Sequence, residues 1–199
     1  LSLFLSFPAS VALLIGSEQI ISALFGYGSF NEVSVSNSAK ALYYFALGLP
    51  AFSLIKVFST FFFANQDTKT PFYISLISVM LNIIISISYF NKIGFIIIPI
   101  ATTISSWFNS LILFIFLKNK NLFNFNKIFL SRFIKIIFAS LLMGIFFNFL
   151  LIYFQNQLAF SQNLKSFYLI FSVILGLLFY LFVSYWIKAF KMSDINLKY

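Results

Sequence analysis

The sequence predicts an all-α fold, a polytopic transmembrane helical bundle with six membrane spans. Apolar residue types make up 61% of the 199 residues, charged types make up only 9%, and the mean hydropathy is +1.01. A water-soluble domain usually carries about 25% charged residues. Six spans of roughly 20 to 24 residues would use about 130 positions and leave about 70 for loops and a tail. Length and composition therefore agree with six crossings of a bilayer.

The composition also excludes several kinds of chemistry. The sequence contains no Cys and no His, so disulfides, thiol nucleophiles, imidazole bases and the usual zinc or haem ligand sets are ruled out. It has no Gly-rich phosphate loop, no paired carboxylates within a span and no nucleophile beside a base. We expect no catalysis, no cofactor and no metal site in this segment. The net charge of +9 does not indicate nucleic-acid binding, because the Lys residues are spread between the hydrophobic spans.

Four spans are expected within residues 1–117. A Gly- and Ser-containing loop at 26–38 separates the first two, and the first span contains both a Pro and a Gly. Thr70 before Pro71 has the order of a helix N-cap and a first-turn proline, which predicts the start of the third helix. The four expected spans cover about residues 2–25, 39–64, 71–90 and 95–117.

The remaining residues are expected to form a linker, two more spans and a tail. Residues 118–131 are rich in Lys and predict a basic cytoplasmic linker. The region 132–187 should hold two further transmembrane helices, at about 132–154 and 167–187. Residues 188–199 are polar and predict a cytoplasmic tail. Because the chain begins with Leu1, with no basic stretch before its first apolar run, we expect it to be the C-terminal part of a longer protein.

The positions of the basic residues predict the orientation in the membrane, because basic loops tend to stay on the cytoplasmic side. The connections on one side, together with the span ends beside them, carry ten basic residues: Lys56, Lys69, Lys118, Lys120, Lys127, Arg132, Lys135, Lys188, Lys191 and Lys198. The opposite side carries three: Lys40, Lys92 and Lys165. This asymmetry predicts that the C-terminus is cytoplasmic and that the loop at 26–38 is external.

Polar residues inside the spans are the candidates for function, because such groups are costly in hydrocarbon unless they face a partner or water. Lys56 either snorkels to headgroups or faces a cavity. The third and fourth spans carry several amide and hydroxyl side chains, with Asn82 on one and Thr102 and Asn109 on the other. These indicate either ordinary helix packing or a hydrated cavity or ion site. A sodium ion could take oxygen atoms from Asn82 and Thr102, but this hairpin offers no carboxylate.

The stretch GLPAFSLIKVFSTFFFANQDTKTP, residues 48–71, resembles a signature region of the MurJ (MviN) family of lipid II flippases. The resemblance rests on Gly48, Leu49, Lys56, Val57, Phe62, Ala64 and the run Asp67, Thr68, Lys69, Thr70, Pro71. Flanking pieces agree in order and spacing, so that the resemblance covers about residues 7–120. Beyond residue 120 only the hydropathy pattern corresponds.

The resemblance implies a fourteen-helix transporter of the multidrug/oligosaccharidyl-lipid/polysaccharide exporter superfamily, in which the six spans are helices nine to fourteen. Family members move the undecaprenyl-pyrophosphate-linked peptidoglycan precursor, lipid II, from the inner to the outer leaflet of the bacterial plasma membrane by alternating access. The last two helices line a groove for the lipid tail, and the loop at 67–70 acts as a joint. The candidate residues for the substrate path or gating are Lys56, Asp67, Lys69, Asn82, Thr102 and Asn109.

The expected partners are lipid II, membrane lipid and proteins of cell-wall synthesis, and we expect a monomer located in the bacterial inner membrane. Three alternatives stay open. The first is a polysaccharide-lipid flippase or exporter of the same superfamily. The second is a membrane glycosyltransferase acting on polyprenyl-linked sugar, for which the external side offers only Glu18 and Glu32 as carboxylates. The third is a scaffold in a cell-wall assembly complex that transports nothing.

Overall fold

A computed structural model of the chain describes residues 2–120 and 127–189, and the regular secondary structure of these residues is entirely helical. The expected all-α fold is confirmed. A 3-10 turn, Gly94–Ile96, separates the third and fourth helices. Parts of the expected linker (121–126) and tail (190–199) lie outside the described residues. The six long helices are α1 Ser2–Phe25, α2 Glu32–Ala64, α3 Lys69–Ile93, α4 Ile97–Asn119, α5 Lys127–Tyr153 and α6 Lys165–Trp186.

The helices are long and apolar enough for a multi-pass membrane protein. Five apolar stretches of the described chain could cross a bilayer, and one of them, Lys69–Asn119, has 51 residues because it contains both α3 and α4. Large apolar side chains point outward, for example Ile87 with 72% and Phe182 with 67% of its surface exposed. Soluble monomers rarely expose large contiguous apolar patches. Lipid is therefore the solvent that suits this surface.

Helix α2 begins at Glu32, seven residues before the membrane span of about 39–64 that hydropathy predicts. Its 33 residues correspond to about 50 Å at 1.5 Å per residue, more than the ~30 Å of hydrocarbon. Asn31 caps the helix: its Oδ1 accepts hydrogen bonds from the backbone N–H and the hydroxyl of Ser34, both at 2.9 Å. Hydropathy detects only the part of a helix that lies in lipid, and a polar, capped extension escapes it.

Helix α3 begins at Lys69, and its cap is Asp67 rather than the predicted Thr70. The Asp67 carboxylate accepts hydrogen bonds from the Thr70 backbone N–H at 3.0 Å and from the Thr70 hydroxyl at 2.7 Å. Pro71 lies in the first turn, as expected, where a missing N–H costs nothing. Thr70 has a residue type that favours the N-cap position, but the Asp67 carboxylate three residues earlier is the stronger hydrogen-bond acceptor.

The described chain divides into two compact units, each with its own core. Unit 1 consists of Leu1–Ser6 with Lys40–Asn124, and unit 2 of Phe7–Ala39 with Phe125–Tyr199, as far as the structure describes them. Both α1 and α2 contribute to the two units. Within α1 the backbone leaves helical geometry at Gly16, with φ −101° and ψ 15°.

Unit 1 is built around α2, α3 and α4. α3 and α4 form an antiparallel hairpin, and Gly94 allows the tight connection because its φ of 72° is unfavourable for other residues. Its backbone N–H donates to the carbonyl of Phe90 and so closes the end of α3. The apolar core lies where all three helices meet and contains Phe58, Phe62, Ile74, Leu113 and Leu117.

Unit 2 joins most of α1 to the α5–α6 hairpin. Its apolar core contains Ala23, Phe147, Leu151, Leu158 and Leu169. α1 side chains lie close to α5 at Gly144, where an added Cβ would lie 2.5 Å from Val11 Cγ1 and 2.9 Å from Ile15 Cδ1. Small residues at such crossings let helix backbones come close enough to pack in lipid.

This close approach predicts that Gly144→Ala destabilises the protein while Gly176→Ala does not. A methyl at residue 144 must displace α1 side chains, at an overpacking cost of about 1–3 kcal/mol. At Gly176 the nearest atom to an added Cβ is Phe147 Cδ2 at 3.6 Å, an ordinary contact. Thermal unfolding of the two full-length variants in detergent tests this, and equal melting temperatures would contradict the described α1–α5 contact.

Candidate functional site

The first candidate site is a polar cluster, the Asp67 latch, made of Asp67, Thr70 and Lys120. Asp67 lies in the short turn between α2 and α3, and its Oδ2 is 2.5 Å from Lys120 Nζ at the end of α4. The Lys120 ammonium also lies over the ring of Phe62, 5.7 Å from its centroid. One carboxylate thus caps α3 and holds the end of α4.

The Lys120 hydrogen bond, followed by the backbone and hydroxyl hydrogen bonds of Thr70, holds the pKa of Asp67 well below its usual range. A lowered folded-state pKa adds stability that is fully present above the ordinary Asp pKa of 3.8 and is lost as the pH falls through the folded value. The latch is therefore charged throughout the neutral range. The carboxylate is accessible to solvent, which weakens the ion pair and leaves the turn able to open.

The two other basic candidates lie apart from the latch. Lys69 is exposed in the first turn of α3, and Lys56 is exposed on α2. Within the described part of the chain, neither side chain makes an ion pair. The structure therefore does not bring Lys56, Asp67 and Lys69 together into one basic cluster.

The second candidate site is a polar seam between α3 and α4. Asn82 Nδ2 donates to Thr102 Oγ1 at 3.0 Å and to Ser105 Oγ at 3.3 Å. Further along, Asn109 Nδ2 donates to Ser75 Oγ at 3.4 Å. The predicted meeting of Asn82 with Thr102 is thus present in the structure, whereas Asn109 pairs at a separate level of the hairpin.

The hydrogen bonds of the seam favour helix packing over an ion site. Asn82 uses both N–H groups across the hairpin, and its Oδ1 accepts a hydrogen bond from Ser86 at 3.3 Å. The hydroxyls of Thr102 and Ser105 donate to carbonyls of their own helix. An ion bound here would have to displace the amide N–H groups that already occupy the hydroxyl oxygens. Among the seam residues, Asn109 Oδ1 is the one buried polar atom for which the described chain provides no hydrogen-bond partner.

Two further side chains of α4 bind the backbone of α2, which the sequence alone did not reveal. Thr103 Oγ1 donates to the carbonyl of Tyr44 at 2.6 Å, and Trp107 Nε1 donates to the carbonyl of Leu47 at 3.0 Å. These bonds lie just before Pro50, which lacks an N–H and so weakens the hydrogen-bond ladder of α2. Donors from a neighbouring helix commonly compensate for such a break in a membrane.

Comparison with known proteins identifies the family. A family model described as lipid II flippase MurJ matches residues 1–186. The chain belongs to the MurJ lipid II flippase family. The match extends well beyond the region of about 7–120 in which the sequence motifs resemble the family, so it includes α5 and α6.

Relatives and a solved structure agree with this membership. A probable lipid II flippase MurJ of Thermotoga maritima is 34% identical over 194 residues, which is 98% of this chain and 37% of that protein. One from Rickettsia prowazekii is 38% identical over 109 residues, 55% of this chain and 22% of that protein. A solved lipid II flippase MurJ in an inward closed conformation matches with a TM-score of 0.74 at 30% identity, covering 92% of this chain and 36% of that one. The chain thus spans about a third or less of the MurJ proteins it matches.

Sequence reasoning missed two tertiary contacts, those of Lys120 and Lys165, because both depend on how the helices pack. Lys120 was expected only to mark the cytoplasmic side, yet it completes the Asp67 latch. Lys165 was likewise counted only as an external charge, yet it is 1% exposed. The sequence offers one signal for the latch. A Lys lies at the end of one predicted helix, and a carboxylate lies in the turn at the same end of the hairpin.

The polar seam predicts that Asn82→Ala destabilises the MurJ-family protein more than Ser86→Ala. The first change removes two hydrogen bonds between helices, while the second removes only one bond within α3. Hydrogen bonds between membrane helices average about 0.6 and reach about 1.7 kcal/mol. Unfolding of full-length variants in detergent, in NaCl and again in KCl, measures this. A stabilisation specific to sodium that Asn82→Ala abolishes would contradict the packing interpretation.

Proposed function

We propose that the protein to which this chain belongs moves lipid II, the undecaprenyl-pyrophosphate-linked peptidoglycan precursor, from the inner to the outer leaflet. It does so by alternating access, as a transporter and not an enzyme. The observation that carries this proposal is the match of the lipid II flippase MurJ family to residues 1–186. Each compared relative is itself described as a lipid II flippase or probable lipid II flippase.

The proposed location is the bacterial inner membrane, with the C-terminus in the cytoplasm. Ten basic residues are expected on one side and three on the other, which supports this orientation. Contacts inside each unit support a topology in which successive helix ends alternate between the two sides of the membrane. Asp67 before α3 meets Lys120 at the end of α4, and Lys165 at the start of α6 meets Gly26 just after α1. Each pair belongs to a single membrane side in the expected topology.

In this proposal the Asp67 latch is the joint between α2, α3 and α4 on the cytoplasmic side. Capping by Asp67 fixes the start of α3, and the exposed ion pair with Lys120 can open and close at low cost. Hinges of transporters are short connections that absorb changes in backbone angle. Lys56, exposed on α2 near the same end, is proposed to contact headgroups or substrate on that side.

α5 and α6 are proposed to provide the surface for the lipid tail. On α5, Ile145 is 69% exposed and Phe149 is 61% exposed. On α6, Phe171 and Leu178 are also exposed and apolar. An acyl or polyprenyl chain needs a continuous apolar surface of this kind, free of interior charge.

The decisive experiment depletes the full-length protein in its host and follows the precursor. We expect lipid II to accumulate on the cytoplasmic leaflet and to reach the outer leaflet when the protein is restored. Accumulation of a different lipid-linked saccharide would indicate another exporter of the superfamily. Loss of sugar transfer with normal movement between leaflets would indicate a glycosyltransferase, and vesicles in which no precursor crosses would indicate a scaffold.

The latch predicts that Asp67→Ala and Lys120→Ala each slow flipping in the full-length protein, since each breaks the same ion pair. The double variant should be no slower than Asp67→Ala alone, because the two residues act as a unit. Lys56→Ala should slow flipping independently. Lys118→Ala is the matched control, because Lys118 is exposed, lies two residues before Lys120 and makes no ion pair within the described residues. Flipping is measured in proteoliposomes with labelled lipid II, and membrane insertion is checked separately. Normal transport by both Lys56→Ala and Asp67→Ala would refute their proposed roles.

A further inference from the structure

Lys165, the first residue of α6, is enclosed by protein on all sides. Only 1% of its surface is exposed, although an ammonium group in the interior is costly unless it is fully compensated. Its Nζ donates to the carbonyl of Gly26 at 2.6 Å and to the carbonyl of Phe160 at 2.8 Å. No carboxylate of the described chain pairs with it.

Two aromatic rings complete this enclosure, which we call the Lys165 cage. The Lys165 ammonium lies 4.4 Å from the centroid of the Tyr27 ring and 4.5 Å from that of Phe160. A cation within about 6 Å of an aromatic face is attracted to it, and the attraction is greatest where water is excluded. The cage therefore consists of the ammonium, two carbonyl oxygens and two ring faces.

The cage closes the C-terminal end of α1. Carbonyl groups at a helix C-terminus have no partner within the helix and carry partial negative charge, so that a cation there is favourable. Beside the cage, Ser166 Oγ donates to the carbonyl of Ala23 at 2.6 Å and lies 2.7 Å from the hydroxyl of Tyr27. Two consecutive residues of α6 thus bind the end of α1.

Gly26 makes room for the cage. A Cβ added to Gly26 would lie 2.5 Å from the carbonyl oxygen of Ser22 and 3.1 Å from Lys165 Nζ. No side chain fits there unless the ammonium or the helix end moves. The absence of a side chain at Gly26 therefore lets the Lys165 ammonium group approach the Gly26 carbonyl directly.

We propose that Lys165 is a positioning residue that fixes the start of α6 to the end of α1, so that these two helix ends and the segment 154–164 form one rigid body. The role requires the positive charge, because the cage offers carbonyl oxygens and ring faces rather than an apolar pocket. The proposal concerns unit 2 alone and does not depend on which molecule the full-length protein transports.

Lys92 provides a matched control on the same expected side of the membrane. It is exposed at the end of α3, and its Nζ lies 5.8 Å from the ring of Tyr89 on the same helix. Among the residues that the structure describes, its contact is with a side chain of its own helix. Removing its charge should therefore have little effect on folding.

The test compares Lys165→Ala with Lys92→Ala in the full-length protein in detergent. We expect Lys165→Ala to lower the melting temperature and Lys92→Ala to leave it unchanged. Because Lys165→Ala removes three carbons and the ammonium from the cage, added n-propylammonium should raise the melting temperature of this variant and not of the parent protein. An equal concentration of n-propanol, which has the same apolar chain without the charge, should have no such specific effect. Gly26→Ala should lower the melting temperature as Lys165→Ala does.

Spin labels at Leu24→Cys and Phe167→Cys, with any other cysteines of the full-length protein replaced, report the rigid body directly. Both parent side chains are exposed, by 58% and 65%, so the labels avoid the core. We expect one narrow distance distribution with or without added lipid II, a broad one in Lys165→Ala, and a narrow one again with n-propylammonium.

Three results would overturn the proposal: an unchanged Lys165→Ala melting temperature, recovery with n-propanol equal to that with n-propylammonium, or no recovery with either. A distance in the parent protein that changes when lipid II is added would also overturn the rigid body. None of these measurements involves flipping, so a failure here is distinct from a failure of the proposed transport function.

Discussion

The structure depends on one constraint, that polar groups within a bilayer must find partners inside the protein. Three polar sites of the described chain meet it in different ways. Asn82 bonds across the α3–α4 hairpin, Trp107 bonds a carbonyl of α2, and Lys165 is enclosed by carbonyls and rings. Many large apolar side chains outside the two cores face outward. The same constraint explains why so few ionisable residues are present and why those that remain are informative.

The sequence was sufficient for the fold class and for the approximate number of helices, because hydropathy reports directly on burial in lipid. It was less reliable at the helix ends. The start of α2 at Glu32 and the capping role of Asp67 both lie in water, where hydropathy carries no signal and hydrogen-bonding partners decide. The break at Gly16 was visible in the sequence as an irregular span, but its geometry was not. The family motif at 48–71 located the latch without revealing that Lys120 completes it.

The candidate residues show the same limit. Asn82 and Thr102 could be paired from their spacing on two antiparallel helices, since both periodicity and the short turn were readable. From the sequence alone, Lys165 could not be distinguished from a surface charge. Its burial depends on α1, which is distant in sequence, and on the segment 154–164, which is irregular. A count of basic residues treats every lysine as a topology signal. Only the tertiary structure shows that Lys165 is enclosed. Charge in this chain is therefore used in several ways: exposed lysines are expected to bias orientation, Lys120 pairs with Asp67, and Lys165 contacts the end of α1.

The most direct test of the central claim, a six-span membrane chain whose helix ends alternate between the two sides, is cysteine accessibility in intact cells. Single cysteines are placed at Gly28, in the loop after α1, and at Gln66, in the turn before α3, in a full-length protein that lacks other cysteines. Both positions are exposed. A membrane-impermeant maleimide should label residue 28 in intact cells, and should label residue 66 only after the membrane is permeabilised. Labelling of residue 66 from outside, or equal labelling of both positions, would contradict the account.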